Sequence, residues 1–327
     1  MPFGIVFLGK GQVEIQDFEL PPLPPDHIHL CTRTSLISTG TEGICLNRLF
    51  DPGTHFDKWV QYPFKTGYCV VADVVAIGSQ VQGFQVGDRV FTRVVHASEH
   101  HVKTDRVSKI PDSISDEAAQ WAALAMIGSM ILDAGDIRLH DEVAVIGAGP
   151  VGQMALRWLL AAGCKVTICD TVRMRLDMAA LAGPCNPFLG SVDDFGPHVE
   201  EVFGGKPRVI IDCTGIASVF EKALSIPRNY GVVVLLGDTG TPANQHLTPD
   251  VLTRGVRVHG CHISHETLDW HELKIHQRFF ELVQSGRFSV DGLNTHQFSP
   301  RDAVEAYRLT TEKRAETMGV WFDWRKG

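Results

Sequence analysis

The sequence predicts an α/β fold in which a doubly wound parallel sheet is combined with a second, β-rich domain. Two observations predict the α/β part: short apolar runs alternate with helical stretches after about residue 140, and a glycine-rich turn follows the first of these runs. Continuous apolar runs of this kind are typical of parallel strands buried on both faces. The β-rich domain is predicted because β-type runs broken by glycine and proline fill the first third of the chain.

The β-rich part is predicted to contain strands at residues 70–75, 90–91 and 98–102, the second of them entered through a tight turn at 86–89. The four prolines between residues 21 and 25 predict an extended or turning segment, because each removes a backbone donor. A helix is predicted to begin after Ser115, which suits an N-cap and is followed by Asp116 and Glu117 in the first turn.

The α/β part is predicted to contain five strands and a glycine-led helix, followed by an amphipathic helix from residue 268 to 283. The strands are expected at 143–146, 165–169, 209–212, 232–236 and 256–261. A chain of 327 residues is long enough for two domains. We therefore predict a β-rich domain at 1–115 that the chain re-enters at 271–327, and a doubly wound α/β domain at 116–270.

Composition excludes several classes of protein. The net charge is −8 and no lysine- or arginine-rich block occurs, which argues against nucleic acid or an anionic membrane as a partner. No apolar run approaches the roughly 20 residues that span a bilayer. The first residues lack the features of a signal peptide, and the eight cysteines form no Cys-x-x-Cys pair. A reducing, cytoplasmic location is therefore expected.

The glycine-rich turn predicts a dinucleotide site. It reads Gly147-Ala-Gly149-Pro150-Val151-Gly152 and lies between an apolar strand and a helix. In this pattern the first glycine permits a tight turn, the second lets the backbone approach a pyrophosphate, and the third lets helix and strand pack closely. The N-terminus of the helix then offers free N–H groups to the phosphates. The sequence thus predicts a Rossmann domain that binds NAD(H).

Asp170 is predicted to determine whether the protein prefers NAD or NADP. It ends the second strand, 18 residues after Gly152, near the distance expected for an acid that binds the adenosine ribose. A carboxylate there repels the extra phosphate of NADP, which favours NAD, although Arg173 and Arg175 could bind a phosphate or lie in solvent.

Two later strand ends are expected beside the nicotinamide half of the cofactor. These are Thr214 and Gly215 after the third strand and Gly237 after the fourth. Open α/β sheets bind ligands at the carboxyl ends of their strands.

Together these residues resemble the medium-chain dehydrogenase/reductase superfamily over nearly the whole chain. The resemblance is carried by Val-Gly-Asp-Arg-Val at 86–90, the fingerprint at 147–152, Asp170, and Leu-Asn-Thr-His at 293–296. Residues 37–42 and 322–324 look like the branch that contains bacteriochlorophyllide a dehydrogenase. The resemblance implies that the β-rich domain is GroES-like, that NAD(H) lies in a cleft between the domains, and that substrate enters there.

Where zinc-dependent members of the superfamily have their ligand motifs, this sequence differs. Thr39 stands at the position of the first cysteine ligand, Tyr68 at that of the histidine, and Ala122 at that of the third ligand. A catalytic zinc needs about three protein ligands, and only Cys69 and Glu42 remain nearby. The four closely spaced cysteines of a structural zinc lobe are also missing. We therefore predict neither a catalytic nor a structural zinc.

Without a metal, another group must supply a proton to the substrate oxygen. Tyr68 is predicted to point its hydroxyl into the cleft as that donor, or else to pack a turn. Thr41 matches the relay hydroxyl of the superfamily, or else starts a helix. Glu42 resembles an acid that forms an internal salt bridge rather than a base.

The fifteen histidines give weaker indications. His96 lies on a segment that lines the substrate cleft in relatives, and it is predicted as an acid/base or substrate contact, or else as a surface residue. His100 and His101 are adjacent on a strand and should face opposite sides. A metal is not expected at the later group, which comprises His259, His262, His265, His271 and His276.

The predicted function is NAD(H)-dependent, zinc-independent oxidation of a secondary alcohol, or reduction of the ketone, with a small-molecule substrate that resemblance suggests is bulky or ring-bearing. Two alternatives stay open: a zinc-free quinone or enone reductase, and a non-catalytic NAD(H)-binding redox sensor. A homodimer through the edge strand of the Rossmann sheet is one expected assembly.

Overall fold

The structure is a computed structural model and describes residues 1–326. Within this range the chain forms sixteen strands and twelve α-helices. The strands are β1 (Phe3–Gly9), β2 (Gln12–Asp17), β3 (His27–Leu36), β4 (Phe64–Lys65), β5 (Val70–Ile77), β6 (Arg89–Thr92), β7 (Glu99–Lys103), β8 (Val107–Lys109), β9 (Glu142–Ile146), β10 (Lys165–Asp170), β11 (Asn186–Leu189), β12 (Val209–Asp212), β13 (Val232–Leu235), β14 (Arg257–Gly260), β15 (Asn294–Phe298) and β16 (Gly319–Asp323). The helices are α1 (Thr39–Asn47), α2 (His55–Trp59), α3 (Asp116–Ala119), α4 (Ala122–Ser129), α5 (Ile131–Ala134), α6 (Pro150–Ala161), α7 (Arg173–Ala180), α8 (Val192–Phe203), α9 (Ala217–Ala223), α10 (Asp250–Thr253), α11 (Glu272–Gln284) and α12 (Ala303–Glu312).

The chain folds into two compact units. The first comprises residues 1–123, 268–284 and the chain from Leu293 onward, and the second comprises 124–267 and 285–292. The sequence predicted a boundary near residue 116, whereas α3 lies in the first unit because the buried carboxylate of Asp116 binds Arg33 and Arg89 there. Residues 285–292 join the second unit, where Phe288 packs against Trp158.

The second unit is built on a six-stranded sheet in the order β11-β10-β9-β12-β13-β14, and every neighbouring pair is parallel. This is the strand order of a doubly wound dinucleotide-binding sheet. Strands β9, β10 and β11 are added toward one edge, and β12, β13 and β14 are added toward the other, so the order of strand addition reverses between β9 and β12. Helices cover both faces, and the strand residues of β9 and β12 are almost fully buried. The α/β fold predicted from the sequence is confirmed.

The first unit is rich in β-structure. A three-stranded sheet has the order β2-β1-β4, and a seven-stranded sheet has the order β15-β16-β3-β5-β6-β8, with β7 paired to β3. Aromatic side chains of β1, α12 and β16 form one core: the ring of Tyr307 meets Phe7 edge-on at 5.0 Å and lies 6.2 Å from Phe322. The β-rich domain that the sequence predicted is therefore present.

The helix predicted after Ser115 is present, but it is short. Ser115 caps a helix, since its hydroxyl accepts a hydrogen bond of 3.1 Å from the N–H of Ala118. That helix ends at Ala119, and the alanine-rich segment continues as the separate helices α4 and α5. In residues 1–326 no helix is both long and apolar enough to cross a membrane.

Candidate active site

The glycine-rich turn lies at the carboxyl end of β9 and leads into α6. Gly147 has a φ of +93°, a left-handed conformation that glycine adopts without strain. A Cβ on Gly152 would lie 1.9 Å from the carbonyl oxygen of Gly147, so only glycine allows this close packing. A Cβ on Gly149 would meet no atom within 4 Å. The backbone at Gly149 is therefore open to a ligand.

The first turn of α6 is placed for anion binding. Gly149 is its N-cap and Pro150, which has no N–H, takes the first position, where a donor would be unpaired in any case. The N–H groups that follow, starting with that of Val151, lie where the strand order reverses between β9 and β12. A helix N-terminus at such a point favours a phosphate group.

Asp170 ends β10 next to this turn and is only 8% exposed. Its Oδ2 accepts a hydrogen bond of 2.8 Å from the N–H of Ala148, and its Oδ1 accepts one of 2.9 Å from the N–H of Val172. Arg175 places Nη1 3.5 Å from Oδ2, while Arg173 is exposed. The carboxylate thus shapes the turn, a role that sequence reasoning missed; its contact with a ribose stays a prediction.

The carboxyl end of β12 holds a second buried acid, Asp212, which sequence reasoning did not single out. Its Oδ1 accepts hydrogen bonds from the N–H (2.8 Å) and hydroxyl (2.7 Å) of Thr214. Its Oδ2 is buried without a partner in residues 1–326, and burial raises the pKa of the carboxyl. An acid that directly follows a buried strand was the available signal.

Gly215 and Gly237 keep this strand end free of side chains. Gly215 has a φ of +66°, and a Cβ on Gly237 would lie 2.5 Å from the backbone of Cys213. Gly149 follows β9, and Asp212 ends β12, which is the neighbouring strand. The open backbone of Gly149 and the Asp212 oxygen that has no partner in residues 1–326 therefore both lie at the carboxyl ends of adjacent strands. The residues present therefore fit a dinucleotide such as NAD(H).

In the first unit, three hydroxyl groups lie together. Tyr68 donates a short hydrogen bond to Oγ of Ser38, and its oxygen lies 3.4 Å from Oγ1 of Thr41. Ser38 immediately precedes α1, but its hydroxyl makes no capping bond and receives the tyrosine instead. Burial raises the pKa of Tyr68 well above its ordinary value, with a further contribution from Cys69. The phenol is therefore a neutral donor. Sequence reasoning found Tyr68 and Thr41 but missed Ser38.

Gly67 explains why Tyr68 takes this position. It has a φ of +101°, and a Cβ there would lie 2.5 Å from the ring of His96. Only glycine fits a backbone that turns this closely over a ring. The backbone turn at Gly67 therefore determines where Tyr68 lies.

Glu42 lies beneath the hydroxyl cluster and is almost fully buried, with four donors around its carboxylate. Oε1 accepts the N–H of Ser38 (2.7 Å), and Oε2 accepts the hydroxyls of Thr66 (2.8 Å) and Tyr307 (2.5 Å). Nε2 of His96 lies 3.2 Å from Oε2. Burial alone would raise the pKa of Glu42, but the charge of His96 and these hydrogen bonds bring it below its ordinary value. Glu42 forms an internal salt bridge, as the sequence predicted.

His96 does not have the surroundings that the sequence predicted. It is 0% exposed, and its Nδ1 lies 2.8 Å from Oγ of Ser35 while Nε2 faces Glu42. Both ring nitrogens are thus engaged inside the unit, and the geometry favours a structural role. Direct contact with a substrate stays an untested prediction that this burial does not support.

The residues at the zinc-ligand positions do not fit a catalytic zinc. Thr39 lies in α1, Ala122 has no ligand atom, and Tyr68 is hydrogen-bonded to Ser38. Burial raises the pKa of the Cys69 thiol well above its ordinary value, so this thiol is neutral in the metal-free protein. Over residues 1–326 no three His, Cys, Asp or Glu side chains are grouped so as to hold a metal ion.

Comparisons with known proteins show which proteins this chain resembles. The family model described as "Zinc-binding dehydrogenase" matches residues 150–277. The chain is 25% identical over 342 residues to sorbitol dehydrogenase from Mus musculus, covering 93% of this chain and 91% of that protein.

Two solved structures share the fold at a TM-score of 0.83 and 18% sequence identity, each covering 99% of both chains. They are 2R,3R-butanediol dehydrogenase from Bacillus subtilis and a short chain alcohol dehydrogenase from E. coli CFT073 complexed with NADH. At this identity the likeness shows the fold, which is that of a Rossmann unit with a GroES-like unit.

Proposed function

We propose that the chain is a dehydrogenase of the medium-chain dehydrogenase/reductase superfamily and that it transfers hydride reversibly between NAD(H) and a secondary alcohol or ketone without zinc. The observation that carries this proposal is the hydroxyl cluster of Tyr68, Ser38 and Thr41 at the place where zinc-dependent relatives hold their metal. The chemistry that zinc supplies to such a reaction, polarisation of the carbonyl, is here assigned to a neutral donor.

NAD(H) supplies the hydride when bound, and the residues of the second unit support its binding. The N–H groups of α6 would hold the pyrophosphate near Gly149, and Asp170 ends the strand where an acid would bind the adenosine ribose. One oxygen of Asp212 has no partner within residues 1–326 and burial raises the pKa of this carboxyl, so Asp212 is suited to donate or accept a hydrogen bond at the carboxyl end of the next strand. Thr214, Gly215 and Gly237 would line the nicotinamide half of the cofactor.

Proton transfer is assigned to the first unit. As hydride reaches the carbonyl carbon, the O–H of Tyr68 donates to the substrate oxygen, which becomes the alcohol. The high pKa of Tyr68 disfavours a phenolate, so a proton from solvent, passed on through the hydroxyl of Ser38 or Thr41, would replace the one it gives. One well-placed donor of this kind stabilises the transition state by about 3–4 kcal/mol. We assign Glu42 and His96 a supporting role, because Glu42 accepts the N–H of Ser38 and both ring nitrogens of His96 are engaged inside the unit.

Cofactor choice is one test of this proposal. NADH should bind at least several-fold more tightly than NADPH, because the carboxylate of Asp170 repels the extra phosphate. Fluorescence titration of both cofactors measures this difference. Asp170→Ser should narrow it, whereas Asp177→Ser, a change farther along α7, should not. Equal affinities in the unmodified protein would instead implicate Arg173 and Arg175 in binding a phosphate.

Turnover is the more direct test. Oxidation of NADH, followed by its absorbance, should depend on a ketone from a panel that includes large cyclic members, and NAD⁺ should be reduced with the matching secondary alcohol. Turnover only with enones or quinones would make the protein a zinc-free reductase of that class. Tight NADH binding with no turnover across all three panels would favour a redox sensor.

We also propose a cellular location and an assembly. All eight cysteines are free thiols, which supports a reducing, cytoplasmic location. β14 is an edge strand of the Rossmann sheet and its residues are exposed, which supports a homodimer formed through that edge.

A further inference from the structure

The glycine-rich turn is held from two sides at Ala148. The N–H of Ala148 donates a hydrogen bond of 2.8 Å to the carboxylate of Asp170, and its carbonyl oxygen accepts one of 3.0 Å from the side-chain amide of Gln153. Gln153 is an early residue of α6, and helical side chains tilt toward the N-terminus of their helix. The helix that follows the turn therefore braces the backbone that precedes it.

The amide of Gln153 is fully buried and is engaged at both ends. Its Nε2 donates to the carbonyl oxygen of Ala148 and, at 2.8 Å, to that of Arg175 in α7. Its Oε1 accepts a hydrogen bond of 2.6 Å from Nη1 of Arg157. Because two carbonyl oxygens lie on one side and a donor lies on the other, the amide nitrogen must face the turn.

Arg157 holds the amide in this orientation and is itself fixed. It is 1% exposed, and its guanidinium also donates to the carbonyl oxygens of Gln153 (3.1 Å), Met178 (3.4 Å) and Ser289. Within residues 1–326 all its acceptors are amide oxygens. Burial lowers the pKa of Arg157 to about 10, so the group is still a cation at neutral pH. Hydrogen bonds from a charged donor are stronger than those from a neutral one.

The carbonyl of Ala148 determines where the next N–H points. The peptide group between Ala148 and Gly149 is planar and trans, so the carbonyl of Ala148 and the N–H of Gly149 point in opposite directions. The N–H of Gly149 therefore points away from the amide of Gln153. It donates no hydrogen bond within residues 1–326, and a Cβ on Gly149 would meet no atom within 4 Å. This N–H is a donor in open space.

We propose that Gln153, oriented by Arg157, is a positioning residue for the cofactor: it holds the carbonyl of Ala148 so that the N–H of Gly149 points at the diphosphate of NAD(H). This inference rests on the proposed function and adds two residues that sequence reasoning did not single out. A donor that is already oriented binds an anion without the cost of turning its peptide group. Gln153 and Arg157 would act through Ala148, not by touching the cofactor.

Calorimetric titration with NADH, ADP-ribose and adenosine tests the proposal. Gln153→Met keeps the length of the side chain and removes its donors. Affinity for NADH and ADP-ribose should fall by about tenfold, whereas affinity for adenosine, which has no diphosphate, should change by less than about twofold. Arg157→Lys keeps the charge but loses the planar fork, so its loss should be smaller and in the same direction. Thr167→Val removes a buried hydrogen bond to Asn186 in the same sheet and is the matched control.

Stability and kinetics are measured on the same samples. Gln153→Met and Thr167→Val should both unfold at a lower temperature, but only Gln153→Met should weaken NADH binding, with about one site per chain retained. Its KM for NADH should rise as the affinity falls, and kcat should change much less. Absence of turnover with every substrate would count against the proposed function, while the titrations would still decide the role of Gln153.

Three results would overturn the inference. The first is an NADH affinity that stays unchanged in Gln153→Met, or a binding stoichiometry that falls at unchanged affinity, since either would show a purely structural role. The second is an equal loss of affinity for adenosine and ADP-ribose. The third is a wild type that binds neither NADH nor ADP-ribose. If Gln153→Met does not fold, Arg157→Lys decides the question, because unchanged ADP-ribose affinity in that variant would equally contradict the proposal.

Discussion

At the residue scale, the hydroxyl cluster of Tyr68, Ser38 and Thr41 depends on the orientation of the neutral Tyr68 phenol. Tyr68 is oriented by the turn at Gly67 and by its bond to Ser38, and beneath it the carboxylate of Glu42 is satisfied by four donors. Sequence reasoning identified Tyr68 by its position in a motif but could not find Ser38. A serine before a helix is ordinarily a cap, and only the fold shows that its hydroxyl faces the phenol.

Tyr68→Phe tests the donor. The variant keeps the ring and removes only the hydroxyl, so kcat should fall by about a hundredfold or more while NADH affinity stays nearly unchanged. Steady-state kinetics and a fluorescence titration measure the two quantities. Tyr62→Phe is the matched control, because it removes a hydroxyl bonded to the carbonyl of Cys45 in the same unit. If Tyr68→Phe retains most activity and Thr41→Ala abolishes it, the proton comes from Thr41.

Glu42→Gln tests the buried ion pair. Removing one member leaves His96 buried without its partner, so the free energy of unfolding should fall by about 3–5 kcal/mol at neutral pH. Because the pKa of Glu42 is lowered by folding, its contribution is present above its ordinary pKa and is lost as the pH falls through the lowered value. The difference between wild type and variant should therefore shrink in acid.

Urea unfolding at several pH values measures this difference. Glu305→Gln, the same substitution at an exposed residue paired with Arg308, should change little. A difference for Glu42→Gln that stays constant down to strongly acidic pH would show that the carboxylate contributes by packing rather than by charge.

At the element scale, the strands buried on both faces were the best predicted. The predicted strand 209–212 becomes β12 with the same limits, because three apolar residues buried on both faces are followed by Asp212 at the strand end. β11 was missed: it is short, half exposed and contains Pro187, and a proline is tolerated there because β11 is an edge strand. The helix begun by Ser115 was predicted at its start but not at its end, since capping chemistry marks only the start.

Gly149→Ala and Gly152→Ala separate binding from folding within one turn. The Cβ of Gly149→Ala would meet no protein atom, so the protein should fold normally while NADH affinity falls, because the new methyl occupies the space assigned to the pyrophosphate. The Cβ of Gly152→Ala would collide with the carbonyl of Gly147, so stability itself should fall. Thermal unfolding and NADH titration distinguish the two. Unchanged NADH affinity in Gly149→Ala would place the pyrophosphate elsewhere.

At the scale of the whole molecule, the sequence predicted a nucleotide-binding domain within a β-rich one, and the structure shows two compact units, of which the second is built on the parallel sheet. The exact limits could not be predicted, because they depend on contacts between distant residues, such as that of Arg325 with Asp116 in the first unit. The charged network around Asp116 joins three separate parts of the chain in that unit, a pattern that no local motif reveals.

Removal and restoration of zinc test the proposal that this enzyme transfers hydride without a metal. The protein is dialysed against a chelator, its zinc content is determined, and kcat for NADH-dependent ketone reduction is measured on the same sample before and after zinc is added back. We expect far less than one zinc per chain, full activity, and no gain on adding zinc. Activity that falls with the zinc removed and returns with zinc restored would contradict the claim.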